Sequence, residues 1–213
     1  RLWFLDQLEP GSAFYNVPAA IRLTGRVDVP TLERAIGEVV RRHDALRTTF
    51  EATEGHAHAF VHPWSRFRLD VLPAADEDEA RALAQKEAEK PFDLARGPLF
   101  RAALVRIGEA TASGRELDHV LLFTMHHIVS DGWARGVLVR ELAALYEAFS
   151  QNKPSPLEDL PFQYADFAAW QRDWLRGDRL DGLLDYWRGR LGGLTPLELP
   201  TDRPRPAETT FKG

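Results

Sequence analysis

Two adjacent histidines close an apolar run in Leu121-Leu122-Phe123-Thr124-Met125-His126-His127-Ile128-Val129-Ser130-Asp131-Gly132-Trp133. Imidazole ionises near pH ~6.5, so it can take a proton and return it close to neutrality. In extended chain, neighbouring side chains point to opposite faces. His126 and His127 are therefore expected to divide the work, one turned into the core and the other open to a cleft. Asp131, four residues past His127, has two possible tasks: fixing the imidazole tautomer or pairing with a buried cation to hold the loop. Gly132 has no Cβ, so backbone or substrate can come close there. An amide at the start of the following helix can help a developing oxyanion.

Other chemistries fit less well. His127 and Asp131, with His126 beside them, suggest a metal site, but adjacent histidines splay apart and no third ligand at ordinary spacing follows. No metal is expected. His56, His58 and His62 alternate on one strand face and read as a solvent-facing edge strand. No Gly-x-Ser-x-Gly elbow occurs, which argues against a serine triad. The chain has no cysteine, which removes thiol nucleophiles, disulfides and thiolate metal sites and fits a cytoplasmic setting.

The elements that would position the histidines can be read from periodicity. Residues 16–24 form an expected strand ending at Gly25. A helix follows, with Pro30 in its first turn and Leu32, Ala35, Ile36, Val39, Val40 and His43 at helical spacing. Residues 47–50, 57–61 and 67–72 read as strands, and residues 76–90 as a helix with acidic residues in its first turn. Residues 99–107 and 117–124 are near-continuously apolar, as central strands buried on both faces are. A polar connection, 108–116, joins them. Helices are expected over 132–149, 163–175 and 182–191. Trp3, Trp64, Trp170, Trp174 and Trp187 read as packing aromatics, and Trp133 as placed to sense a cleft.

Interleaved strands and helices give an α/β (α+β) class with a mixed β-sheet flanked by helices. At 213 residues, 44% apolar and 28% charged, the chain can build one sizeable core. Its net charge of −5, from 27 basic and 32 acidic residues, comes without a basic stripe, so no nucleic acid partner is expected. No run approaches ~18 apolar residues, so no membrane span is expected. The absence of an initiator Met suggests that the chain starts inside a longer one. Residues 1–193 are expected to form a lobe. Residues 194–213, with Pro196, Pro200, Pro204 and Pro206, are expected to form an extended linker toward a missing carboxy-terminal lobe.

The HHxxxDG segment resembles the signature of nonribosomal peptide synthetase condensation domains, members of the chloramphenicol-acetyltransferase-like superfamily. Further stretches resemble that family in order: residues 1–8 (RLWFLDQL), 42–50 (RHDALRTTF), 164–172 (YADFAAWQR) and 197–204 (LELPTDRP). The resemblance spans essentially the whole chain, without the family's later motifs. It implies a chloramphenicol-acetyltransferase-like lobe and amide formation between carrier-protein-bound thioesters. His127 matches the catalytic histidine, as general base or as positioning group. His126 would orient the loop. Asp131 would be structural and paired with an arginine, for which Arg47 is preferred over Arg42. Gly132 completes the motif.

Ile128, Val129, Ser130 and Trp133 resemble domains that accept an L-configured donor. The resemblance implies no directly bound cofactor, the phosphopantetheine being carried by donor and acceptor carrier proteins. An adenylation domain and a second condensation lobe in the same megaenzyme are the other implied partners. The reaction channel would lie between two lobes, so an isolated fragment is expected to be inactive. The competing readings are a stand-alone HxxxD acyltransferase using a coenzyme A ester and a catalytically silent module.

Overall fold

The apolar run that ends in the two histidines is strand β6 (Asp118–His126), an inner strand of a four-stranded sheet. The computed structural model describes residues 2–53, 55–108, 118–195, 197 and 199–204. It divides into two units, Arg1–Gln163 and Tyr164–Gly213.

In the first unit the sheet order is β1-β6-β5-β4, with β1 at Asn16–Leu23, β4 at Asp70–Ala74 and β5 at Phe100–Ile107. β6 runs antiparallel to both β1 and β5, while β4 pairs parallel to β5, so the sheet is mixed as expected. The two apolar runs occupy its centre. Prolines fall on its edges, Pro18 in β1 and Pro73 in β4, where a missing N–H need not interrupt an inner ladder. β4 lies later than the predicted 67–72. Phe67 packs on the core and Leu69 is buried within it, while the Leu69 N–H donates to Glu33 Oε2 at 3.0 Å and not to a strand.

Alternation along β6 separates the two faces of the sheet. Leu121, Phe123 and Met125 join one core with Leu32, Ile36 and Val39 of α2 (Val29–Arg42) and Leu138, Leu142 and Leu145 of α4 (Gly132–Ser150). On the other face, Leu122 packs with Val105 and with Ala80 of α3 (Glu77–Glu89). Carboxylates cap the helix starts, and α3 carries the acidic first turn expected of it. Asp28 Oδ1 accepts from the Thr31 N–H at 3.2 Å, and Asp76 Oδ1 from those of Asp78 and Glu79. A 3₁₀ turn over Asp44–Arg47 precedes β2 (Thr48–Thr53), which pairs with β3 (His56–Val61) in a separate two-stranded sheet. α1 (Leu2–Leu8) places Trp3 against a small cluster of Phe92, Leu94 and Leu99.

α2 and α4 are locked together by charge as well as by apolar packing. The Arg42 side chain, 4% exposed, donates from Nε to Glu141 Oε2 at 3.3 Å and from Nη1 to the Glu158 carbonyl at 2.8 Å. His43 Nε2 meets the same Glu141 oxygen at 2.8 Å. Gln163 spans the Asp44 N–H and the Arg42 carbonyl.

The second unit contains α5 (Tyr164–Trp174) and α6 (Gly177–Leu191), neither with a buried residue. Tyr164, Phe167, Trp170 and Trp174 form a chain of ring contacts along α5, with successive centroids 6.0, 5.7 and 5.7 Å apart. These aromatics pack on one another along the helix. The described residues beyond Gly193 carry no helix or strand. The predicted connection over 108–116 lies, past Gly108, outside the described residues, as do Pro196, Glu198 and residues 205–213.

Removing Arg42 leaves the mostly buried Glu141 carboxylate with His43 as its remaining partner and strips the Glu158 carbonyl of its donor. Arg42→Ala is expected to cost about 3 kcal/mol in urea denaturation. Arg41→Ala, whose ion pair with Glu38 has an exposed arginine, is expected to cost under about 0.5 kcal/mol. Equal costs would contradict the clamp.

Candidate active-site loop

Strand β6 ends in a tight turn whose backbone is pinned from both neighbours. The His126 N–H donates to the Leu99 carbonyl at 3.0 Å, and the His127 N–H to the Tyr15 carbonyl at 2.8 Å. The chain then folds back on itself. The Val129 N–H and the Ser130 hydroxyl both donate to the His126 carbonyl, each at 3.1 Å. Asp131 closes the turn as the cap of α4, its Oδ1 accepting from the Ala134 N–H at 2.7 Å. A helix start has amides without intrahelical partners, and a short carboxylate there satisfies one of them.

The two histidines separate as their strand parity requires. His126 is 2% exposed, with its ring edge-on to Phe92 at 6.0 Å and tilted against Tyr15 at 6.2 Å. Its Nδ1 accepts the Ile128 N–H at 3.1 Å, so that nitrogen carries no proton. Burial, and secondarily charge on neighbouring His127, push its pKa from 6.5 down to about 4. The buried imidazole is neutral at physiological pH and serves as a fixed acceptor under the turn.

His127 is exposed, and its Nδ1 lies 2.8 Å from the Ser130 carbonyl oxygen. A carbonyl can only accept, so Nδ1 must be the protonated nitrogen. The neutral ring then presents its lone pair on Nε2. Of the two tasks open to Asp131, fixing this tautomer falls instead to the Ser130 backbone, because the carboxylate is engaged by α4.

Arg47 does not pair with Asp131. It donates to the carbonyls of Val40 and Arg41 at 3.2 and 3.3 Å, to the His62 carbonyl and to the Asp44 carboxylate. Those acceptors belong to the end of α2, the following turn and the exit of β3, so Arg47 braces that corner. Arg42 is the arginine that reaches α4, through Glu141, a residue that no sequence motif singles out. A subtler signal was available: Glu141 falls beside Leu138, Leu142 and Leu145 on the buried stripe of the helix, where an unpaired carboxylate would not be tolerated.

The ground beside His127 is open. A Cβ on Gly132 would meet nothing within 4 Å, so close backbone approach does not explain the glycine. Trp133 is 82% exposed. The cap of α4 engages the amides of Ala134 and Arg135, whereas those of Gly132 and Trp133 take no part in it. An accessible lone pair, two forward amides and an unobstructed approach can together receive a proton from a bound nucleophile and steady negative charge nearby.

A family model described as Condensation domain matches residues 1–213. A linear gramicidin synthase protein of Brevibacillus parabrevis is 46% identical over 220 residues, which take in 100% of this chain and 4% of that protein. Phosphinothricin tripeptide synthetase of Streptomyces viridochromogenes is 44% identical over 224 residues, 100% of this chain and 20% of its own length. The X-domain from teicoplanin biosynthesis is 34% identical with a TM-score of 0.81, over 96% of this chain and 44% of that one. The first condensation domain of the CDA synthetase shares the fold, with 21% identity and a TM-score of 0.74, over 90% of this chain and 48% of that one. The chain thus spans a small part of the curated relatives and under half of these solved chains.

The depressed pKa of His126 has a sign. A folded value below the unfolded 6.5 contributes stability that is complete above pH 6.5 and fades as pH falls toward about 4. Its full size is about 3 kcal/mol. His126→Asn keeps an acceptor for Ile128 but no titration. Between pH 7 and pH 4.5 its denaturation midpoint is expected to fall less than the parent's. Parallel losses would show that His126 is not buried neutral.

Proposed function

The chain belongs to the condensation-domain family, and from that premise we propose that it is the amino-terminal lobe of a peptide-forming acyltransferase. Residues 1–193 are the lobe, and residues 194–213 lead toward its second half. Its substrates are an aminoacyl or peptidyl thioester donor and an aminoacyl acceptor, each on the phosphopantetheine arm of a carrier protein. An adenylation domain and the second lobe are partners in the same megaenzyme. The family match across the chain and the similarity to peptide synthetases support this reading. No helix among the described residues is long and apolar enough to cross a membrane.

The observation that carries the reading is the free Nε2 of an exposed, tautomer-fixed His127. The acceptor amine attacks the donor carbonyl, a C–N bond forms and the C–S bond breaks. Nε2 takes the proton that the amine loses and can pass it to the departing thiolate. The amides of Gly132 and Trp133 face the charge that gathers on the carbonyl oxygen. An extended thioester arm needs an unblocked path, which fits the empty space over Gly132 and the exposed face of Trp133. His126 and Asp131 support the loop, and Arg47 braces the corner where α2 ends. Ile128, Val129, Ser130 and Trp133 favour an L-configured donor.

Magnitudes place the histidine second to positioning. An amine and a thioester are a good nucleophile and a reactive acyl donor. Holding them in register is worth effective molarities on the order of 10⁵–10⁸ M. General-base help contributes about 10²–10⁴-fold.

In a protein with both lobes, His127→Ala is expected to slow single-turnover condensation by about 10²-fold or more without abolishing it. An unchanged rate would overturn the assignment. Carrier-bound donors are expected to react and the matching coenzyme A esters to fail; the reverse would favour a free-standing acyltransferase. Gly132→Ala is expected to leave the denaturation midpoint within about 0.5 kcal/mol while lowering turnover. If turnover is retained, the glycine is not leaving room for substrate.

A further inference from the structure

The end of α3 is held by two side chains that reach it from the sheet. Asn16 on β1 donates from Nδ2 to the carbonyls of Ala88 and Lys90 at 2.7 and 2.9 Å. Arg101 on β5 does more. Its Nε donates to Glu87 Oε1 at 2.5 Å and its Nη1 to the Pro91 carbonyl at 3.3 Å. Its Nη2 donates twice, to the Glu87 and Lys90 carbonyls at 3.2 and 2.7 Å. The last carbonyls of a helix lack intrahelical partners, and a cation there also meets the negative end of the macrodipole. The Arg101 side chain, 15% exposed, thus commits four of its five N–H groups to one helix end.

The guanidinium so fixed still offers its flat face. Its carbon lies 3.8 Å from the centroid of the Phe92 ring, and that ring stands edge-on to His126. Register accounts for the alignment. Arg101 pairs with Thr124, two residues before His126 on β6, so the Arg101 and His126 side chains project to the same, α3 face. Phe92 also belongs to the cluster with Leu94 and Leu99, against which Ile128 and Val129 of the histidine turn pack. One ring therefore meets both the fixed cation and the buried imidazole.

Apolar packing alone is non-directional. A planar cation stacked on a ring, and itself held by four hydrogen bonds, sets an orientation. We propose that Arg101 is a positioning residue for the histidine loop, acting through the Phe92 ring. The guanidinium fixes the ring, the ring walls in His126, and the turn that sets the His127 tautomer rests on the same cluster. A lysine supplies the charge but neither the fork nor the flat face. The path from Arg101 to the turn stands without the proposed reaction; only its consequence for turnover rests on that reading.

The test uses the two-lobed protein labelled with ¹⁵N and follows two signals by nuclear magnetic resonance. One is exchange of the Ile128 amide, which donates to His126 Nδ1; the other is the pair of imidazole ¹⁵N shifts of neutral His127. Arg101→Lys is expected to speed the exchange about tenfold or more and to draw the two shifts toward each other. Phe92→Leu is expected to do the same, and the two changes together no more than either alone. Arg22→Ala frees the other end of α3, where Arg22 pairs with Glu77, and is expected to leave both signals at their parent values. Unchanged signals in Arg101→Lys, additive effects of the Arg101 and Phe92 changes, or an equal response to Arg22→Ala overturns the proposal. Arg101→Lys is also expected to lower kcat about tenfold with little change in KM. If the signals respond and kcat does not, the positioning role holds and the catalytic reading of His127 falls.

Discussion

One hydrogen bond, from His127 Nδ1 to the Ser130 carbonyl, decides what the exposed imidazole can do. A free neutral imidazole favours its proton on Nε2. Here the turn offers Nδ1 an acceptor, so the outward nitrogen keeps its lone pair. A single such bond has a net value of only about 0.5–1.5 kcal/mol. It holds the tautomer only if the turn does not have to reorganise to make it. The anchors at Leu99 and Tyr15, the bonds to the His126 carbonyl and the Asp131 cap supply that rigidity.

The turn in turn depends on where β6 and α4 are held. β6 is an inner strand, paired on both sides to its last residues, so its end cannot fray as an edge strand would. α4 lies against α2 through an apolar face and the Arg42–Glu141–His43 cluster. Buried ion pairs stabilise little relative to apolar packing, yet losing one partner costs a great deal. That asymmetry disfavours sliding α4 along α2, and the helix whose first turn carries Asp131 stays in register. The neutral His126 beneath the loop extends the same logic, because a charge there would have to leave water without compensation.

Much of this architecture could be read from local pattern. The two central strands, the division of labour between His126 and His127, and the helices α2, α3 and α4 follow from hydrophobic period, helped by Pro30 and by the acidic start of α3, signals that act over a few residues. Partner choice did not follow. Asp131 sits at a spacing that suggests contact with the imidazole, but α4's own unpaired amides compete for it and win. Arg47 and Arg42 lie in the same short motif. Which of them reaches α4 is decided by burial and by Glu141, ninety-nine residues away from Arg42. β4 starts later than its alternation suggests because Phe67 and Leu69 are apolar for the sake of the core, not the sheet. The division at Gln163 and Tyr164 left no mark in composition, since the aromatic helices beyond it resemble core-packing helices in sequence.

The most direct test is the tautomer of His127, read from its ¹⁵N imidazole shifts at a pH where the ring is neutral. A pyrrole-like Nδ1 and a pyridine-like Nε2 are expected. A neutral ring found with its proton on Nε2 would contradict the account, because the nitrogen facing the open side would then have no lone pair to offer.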